Sequence, residues 1–242
     1  MKRSKPDYGI DAPQVVRNFF LLGAGALLAG LALAKFGPRS ILMASLVATG
    51  IVGGIIWMAT AGLMFFGSKV LKVRLRERLL DGIPWRGDER VLDVGCGRGL
   101  MLIGAAKRLT TGSAAGVDLW QTEDQSGNDP ETTRANALAE RVEGRVEIKT
   151  GDARQLPFEA NHFDAVLSSW ALHNIYERTG REQALREIVR VLKPGGRVTL
   201  VDIRHAQEYA EGLKQAGLAD VQLSPPNFIF VIPSRVVTGR KA

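Results

Sequence analysis

Hydrophobic and polar positions divide the chain into two regions with different periodicities. In the first 68 residues, apolar residues form two long blocks without charge: the 17 residues between Arg17 and Lys35, and the 29 residues from Ser40 to Ser68. At about 1.5 Å of helical rise per residue, the second block exceeds a hydrocarbon core of roughly 30 Å and the first sits near the lower limit. The pattern predicts two spans, about 18–36 and 40–67. Gly37 and Pro38 turn the chain between them, and Gly23, Gly25, Gly30, Gly50, Gly53 and Gly54 allow the helix backbones to approach closely. A basic start, an apolar run and Ala32-Leu33-Ala34 also imitate a cleaved secretory signal, but the longer second block argues against that reading.

Beyond Asp81 short β-branched runs alternate with helical spacing. Strands are expected at Val91–Val94, Ala115–Leu119, Val146–Lys149, Phe163–Ser168 and Arg197–Ile203. Helices are expected at Leu100–Leu109, Thr132–Val142 and Arg181–Leu192. Repeated βαβ units imply a mostly parallel α/β sheet whose ligand crevice lies at the carboxyl ends of the strands. The domains are therefore a membrane anchor over 1–80, ending in a basic juxtamembrane helix that either lies on anionic headgroups or is a solvated linker, and a catalytic domain over 81–242.

Charge sharpens this picture. The net charge of +7 suggests nucleic acid or an anionic membrane. The basic residues flank the apolar blocks: Lys2, Arg3, Lys5 and Arg17 before, and Lys69, Lys72, Arg74, Arg76 and Arg78 after, against Lys35 and Arg39 between. Membrane topology accounts for them, so both ends and the catalytic domain are expected in the cytosol and nucleic acid is disfavoured as a partner. One cysteine excludes an intramolecular disulfide framework, and no Cys or His spacing suggests a metal site.

The candidate chemistry begins with VLDVGCGRG, a strand running into glycines at 95, 97 and 99, with Asp93 at the strand end. A dinucleotide fingerprint requires glycine where Leu100 stands, which favours another nucleoside ligand. Asp118 ends the next strand, where a carboxylate accepts from ribose hydroxyls. Asp152, in a turn after the third strand, is placed to accept from an adenine amine. His173, in SSWALHNIY, is the histidine expected at the site rim and a candidate general base, with Tyr176 beside it. His205 has a loop or cap role as its simpler reading, and His162 a solvent-facing one.

These motifs, in this order from Val91 to Ile203, resemble the class I S-adenosylmethionine-dependent methyltransferases, within them the quinone-biosynthesis C-methyltransferases. VLDVGCGRG resembles the family's first motif, GDARQLPFEANHFDAV its adenine-side segment and VLKPGGRVTLVDI its hallmark turn and fifth strand. The resemblance implies S-adenosyl-L-methionine as cofactor. It assigns Asp93, Gly95 and Gly97 to the methionine moiety, Asp118 to ribose, Asp152 and Ala153 to adenine, and Ser169 and Trp170 to the sulfonium border. Cys96, Gly99 and Leu119 count among the cofactor contacts. It further implies a Rossmann-like seven-stranded sheet with an antiparallel last strand, supplied by Val221–Leu223 and Phe228–Ile232. The expected activity is in-line methyl transfer to a small, lipophilic or membrane-associated acceptor. RNA or protein methylation and a non-catalytic membrane scaffold remain alternatives, and a nicotinamide reductase is disfavoured because no Tyr-x-x-x-Lys pair occurs.

Overall fold

The computed structural model describes residues 5–121, 127–228 and 233–242. Lys2, Arg3, part of the polar stretch after Trp120 and most of the expected strand at Phe228–Ile232 lie outside the described residues.

The two apolar blocks form an antiparallel hairpin of α1 (Pro13–Phe36) and α2 (Ile41–Phe66). Proline opens α1, where its missing N–H goes unneeded, and so this helix is longer than the charge-free block suggests. Gly37 closes α1 by donating its N–H to Leu33 O, and the Ser40 hydroxyl accepts from Met43 N at 3.2 Å to cap α2. Four glycines bring the backbones together: a Cβ on Gly54 would stand 2.7 Å from Gly23 O and Leu27 N, and one on Gly30 would stand 2.9 Å from Ile51 N. Gly25 and Gly53, predicted to do the same, face open space. The hairpin stays largely uncovered, with Phe20 51% and Ile41 89% exposed.

No linker separates hairpin from domain. A π-helical turn, Gly67–Leu71, carries α2 directly into α3 (Lys72–Asp81). The helix expected on lipid headgroups is docked on the domain instead, and the expected boundary at residue 80 cuts through this packing. Leu75, Leu80, Lys72 and Arg76 are buried, and Gly104 of the following domain lies so close that a Cβ there would meet Arg76 Cδ at 2.6 Å and Leu80 Cδ1 at 2.7 Å. Of the basic residues of α3, only Arg74 and Arg78, one turn apart, remain exposed.

The domain follows the alternating pattern. Its elements are β1 (Arg90–Val94), α4 (Leu100–Ala106), β2 (Ser113–Asp118), α5 (Pro130–Ala139), β3 (Val146–Thr150), β4 (Phe163–Ser169), α6 (Arg178–Val191), β5 (Leu192–Asp202), α7 (Ala206–Gln215), β6 (Leu218–Leu223) and β7 (Arg235–Lys241). The seven-stranded sheet runs β3-β2-β1-β4-β5-β7-β6, with β7 antiparallel to both neighbours. Successive β1 side chains point to opposite faces: Leu92 packs with α6 and α7, through Leu185, Ile188, Tyr209 and Leu213, while Val91 packs with α4 through Met101 and Leu102.

Arg235–Lys241, which no expected element covered, joins the sheet, with Val236 and Val237 buried opposite Val201 and Leu200. Of the expected strand Phe228–Ile232, Phe228 alone is among the described residues. Phe228 is 71% exposed and belongs to no strand. Helix α7, absent from the expected elements, begins at His205, whose φ of 60° turns the chain off β5.

Candidate active site

The carboxyl ends of β1, β2 and β4 border a cavity of about 600 Å³, floored by the glycine turn. Gly95, Gly97 and Gly99 all have positive φ, at 70°, 49° and 84°, which explains three glycines in five residues. Gly95 also lets the chain pass Ala171, whose Cβ would meet an added Cβ at 2.2 Å. Gly99 caps α4 facing Ile103 and Thr133 and does not line the cavity. The Gly95 and Cys96 N–H groups donate to Val117 O, at 2.8 and 3.1 Å, so the turn hangs on β2.

Asp118 is the centre of this arrangement. One carboxylate oxygen accepts from Gly97 N at 2.8 Å; the other accepts from Trp120 N at 2.8 Å and Asn128 Nδ2 at 3.2 Å. A carboxylate offers about four acceptor positions, so one remains for a ligand hydroxyl. Beside it Asn128, buried in the cavity wall, holds Oδ1 without a partner among the described residues. Sequence reasoning missed Asn128, which sits in a polar stretch with no periodicity.

Asp93 lies beneath the turn, outside the cavity lining, where one oxygen accepts from Leu102 N at 2.8 Å and the other is unpaired. Burial pushes its pKa up to about 7, the Leu102 N–H opposing and the charge of Asp118 adding to the shift. Cys96 lines the cavity with its thiol held high by burial. Leu119, Asp152, Ala153, Ser169 and Trp170 also line it. Asp152 is engaged by Arg154, whose Nε lies 2.9 Å from Oδ2, and this bond holds the carboxyl below its usual range. Trp170 donates from Nε1 to Ser234 Oγ at 3.0 Å.

His173 lines the cavity from a short turn, Leu172–Asn174, with its side chain 16% exposed. Its Nδ1 lies 2.6 Å from Asp202 Oδ1, close enough for an ion pair although the ring N–H is poorly aligned for a hydrogen bond. The His173 backbone N–H donates to the other Asp202 oxygen at 3.1 Å, as does the Tyr209 hydroxyl at 3.2 Å. Asp202 is buried at the end of β5 and was legible only as one residue of the expected strand Arg197–Ile203. Nδ1 being turned to Asp202, Nε2 is the nitrogen left for the cavity. Tyr176 stands at the rim, 89% exposed. His205 lies outside the main cavity, 3.6 Å from Glu208, and His162 packs its ring against Phe158 and Phe163 instead of facing solvent alone.

The remaining wall comes from residues to which the sequence assigned no such role. Tyr8, Asp11 and Ala12, from the segment before α1, join Met64 of α2 and Lys72 of α3. Lys72 Nζ donates to Tyr8 O at 2.8 Å, Gly9 O at 3.3 Å and Asp11 Oδ2 at 2.9 Å. Asp7 pairs with Lys69 and Arg98, and Asn136 bonds both Asp7 O and Arg98 O. The N-terminal segment is thereby tied to the glycine turn itself. Among the described residues, no cluster of three His, Cys, Asp or Glu side chains is placed to hold a metal ion.

A family model described as a methyltransferase domain matches residues 92–200. The 27-O-demethylrifamycin SV methyltransferase of Amycolatopsis mediterranei is 33% identical over 132 residues, covering 53% of this chain and 44% of the relative. A ubiquinone/menaquinone biosynthesis C-methyltransferase of Pseudomonas fluorescens is 35% identical over 118 residues, covering 48% of this chain and 43% of the relative. The chain thus spans less than half the length of these two relatives. Among solved structures, an S-adenosylmethionine-dependent methyltransferase from Aquifex aeolicus has a TM-score of 0.55 at 17% identity, covering 71% of this chain and 92% of that one. The [4+2]-cyclase SpnF has a TM-score of 0.57 at 20% identity, covering 70% and 80%.

Proposed function

We propose that this chain, whose residues 92–200 match a methyltransferase-domain family model, is a class I S-adenosylmethionine-dependent methyltransferase that transfers a methyl group from that donor to a small lipophilic acceptor at a membrane surface. The carrying observation is the Asp118 junction. The carboxylate fixes the glycine turn through Gly97, is itself held by the Trp120 N–H, keeps one acceptor position, and stands beside the Asn128 carbonyl, unpaired among the described residues. Two neighbouring acceptors suit the vicinal hydroxyls of a ribose, and the glycine turn leaves room for a chain running from it. Asp152 and Ala153 lie on the adenine side of this layout, with Ser169 and Trp170 on the reactive side.

The bound donor supplies an electrophilic methyl group on a sulfonium. The protein's part is to align the acceptor, exclude water and move a proton, and positioning of this kind is worth roughly 7–11 kcal/mol at best. His173 is the group to take that proton through Nε2, while Asp202 holds the ring from Nδ1 and balances the imidazolium that forms. The Tyr209 hydroxyl, its pKa raised by burial and by Asp202, stays protonated and donates to that carboxylate. Tyr176, at the rim, contacts the acceptor.

Membrane attachment rests on the hairpin. At about 1.5 Å per residue its 24 and 26 residues extend about 36 and 39 Å, enough for a bilayer core. A core helix of a water-soluble protein buries its apolar face, whereas only 11% and 6% of the most apolar stretches of this pair are buried. The flanking basic residues favour a cytosolic domain. The relatives' names concern quinone and antibiotic methylation, which fits a small acceptor. Because SpnF shares the fold and is a cyclase, the test must read the transferred group itself. Detergent-solubilised protein incubated with methyl-labelled donor and fractionated membrane extract is expected to label a lipid fraction. Label confined to RNA or protein contradicts the proposal.

A further inference from the structure

The cavity and the hairpin share a wall. Ala12, immediately before α1, and Met64, two residues from the end of α2, both line the cavity that Asp118 and His173 border. Both belong to the same end of the antiparallel hairpin, the end that enters the domain. The first charge after α2 is Lys69, so at about 1.5 Å per residue Met64 lies about 7 Å inside the charged boundary, at the depth where acyl chains meet headgroups. Arg17, near the start of α1, and Arg74 and Arg78, on α3, are exposed at this end of the hairpin.

The junction is also rigid. Helix α2 continues through its π turn into α3, whose Arg76 and Leu80 pack on Gly104, and Lys72 clamps residues 8–11 by three bonds. Residue 7 in turn is bonded to Arg98 of the glycine turn. A flexible tether would leave the cavity facing any direction; these contacts fix the cavity relative to the hairpin.

Resting on the methyltransferase reading above, we infer that the acceptor is a membrane amphiphile that enters sideways from the bilayer through an opening framed by Ala12 and Met64. Its compact polar head, carrying the proton that His173 removes, occupies the cavity while its hydrocarbon chain remains against the base of the hairpin. Met64 is then a specificity-determining residue: its flexible thioether yields to a sliding chain, and a rigid indole there narrows the passage.

The test uses the full chain in phosphatidylcholine–phosphatidylglycerol vesicles with a long-chain phenol bearing a diazirine beside its ring. Irradiation is expected to label peptides containing residues 8–12 and 169–177. Met64→Trp is expected to lower that labelling by roughly fivefold or more, the lower end of what overpacking costs, whereas Leu46→Trp, at an exposed site further along the same helix, leaves it unchanged. Binding of S-adenosylhomocysteine to the unsubstituted protein is measured by calorimetry alongside. If it binds, yet the probe labels only the mid-hairpin or labels 169–177 equally in Met64→Trp, the lateral opening is overturned and the methyltransferase reading stands. If it does not bind, the methyltransferase reading falls first.

Discussion

Asp118→Asn is a close isostere, and the geometry makes it a severe change. Each carboxylate oxygen faces a backbone N–H: Gly97 N on one side, Trp120 N on the other, both at 2.8 Å. An amide must present its NH₂ to one of them, so donor meets donor in either flip. Loss of one charge-assisted bond to a ribose hydroxyl contributes about 1.5–3 kcal/mol, or roughly 10- to 150-fold in affinity, before any distortion of the turn is added. Calorimetric titration with S-adenosylhomocysteine measures the total. Titration with its 2′- or 3′-deoxyribose analogue isolates the contact, because the wild type should lose affinity on removal of the bonded hydroxyl and the variant should not. A coupling below about 0.3 kcal/mol for both hydroxyls, within ordinary additivity, would refute the assignment of Asp118 to the ribose.

Other consequences follow from the same geometry. Asp93 has a folded-state pKa near 7 against 3.8 for the free side chain, so folding takes up its proton between about pH 4 and 7. Stability from this group is full below pH 4 and lost as pH rises to 7, by up to roughly 4 kcal/mol, and Asp93→Asn should flatten that decline in denaturant unfolding. An unchanged slope would place the proton elsewhere. Gly54→Val sets a branched side chain against Gly23 O and Leu27 N and should cost roughly 1–3 kcal/mol or more in thermal unfolding, while Gly53→Val, facing open space, should be tolerated. His173→Ala should reduce turnover roughly 10²- to 10⁴-fold, well beyond any loss of S-adenosylhomocysteine affinity, with Asp202→Asn intermediate; equal turnover would remove the proposed base.

Elements set by strong local signals were legible in the sequence. Buried β-branched runs gave β1 to β4 within a residue or two, and the glycine turn with Asp118 followed from spacing because both need a particular backbone. Strand Arg235–Lys241 was not anticipated because the FIFVI before it is the more apolar run and drew the assignment, whereas RVVTGRK is marked mainly by its pairing with Arg197–Asp202 of β5. Helix α3 was misread for the opposite reason: Lys72 and Arg76 look solvated in a basic stretch, and their burial comes from distant partners, the N-terminal segment folding back on Lys72 and Gly104 packing on Arg76. Asp202 and Asn128 act through partners distant in sequence or set in an aperiodic stretch, so nothing local marked them.

The central claim is that the turn after β1 and the carboxylate after β2 form a binding site for a methyl-donating nucleoside. Calorimetry of the folded, full-length protein with S-adenosylhomocysteine measures this most directly. One molecule bound per chain, weakened by Asp118→Asn, is the predicted result; no binding by protein that retains its cooperative unfolding transition would contradict it.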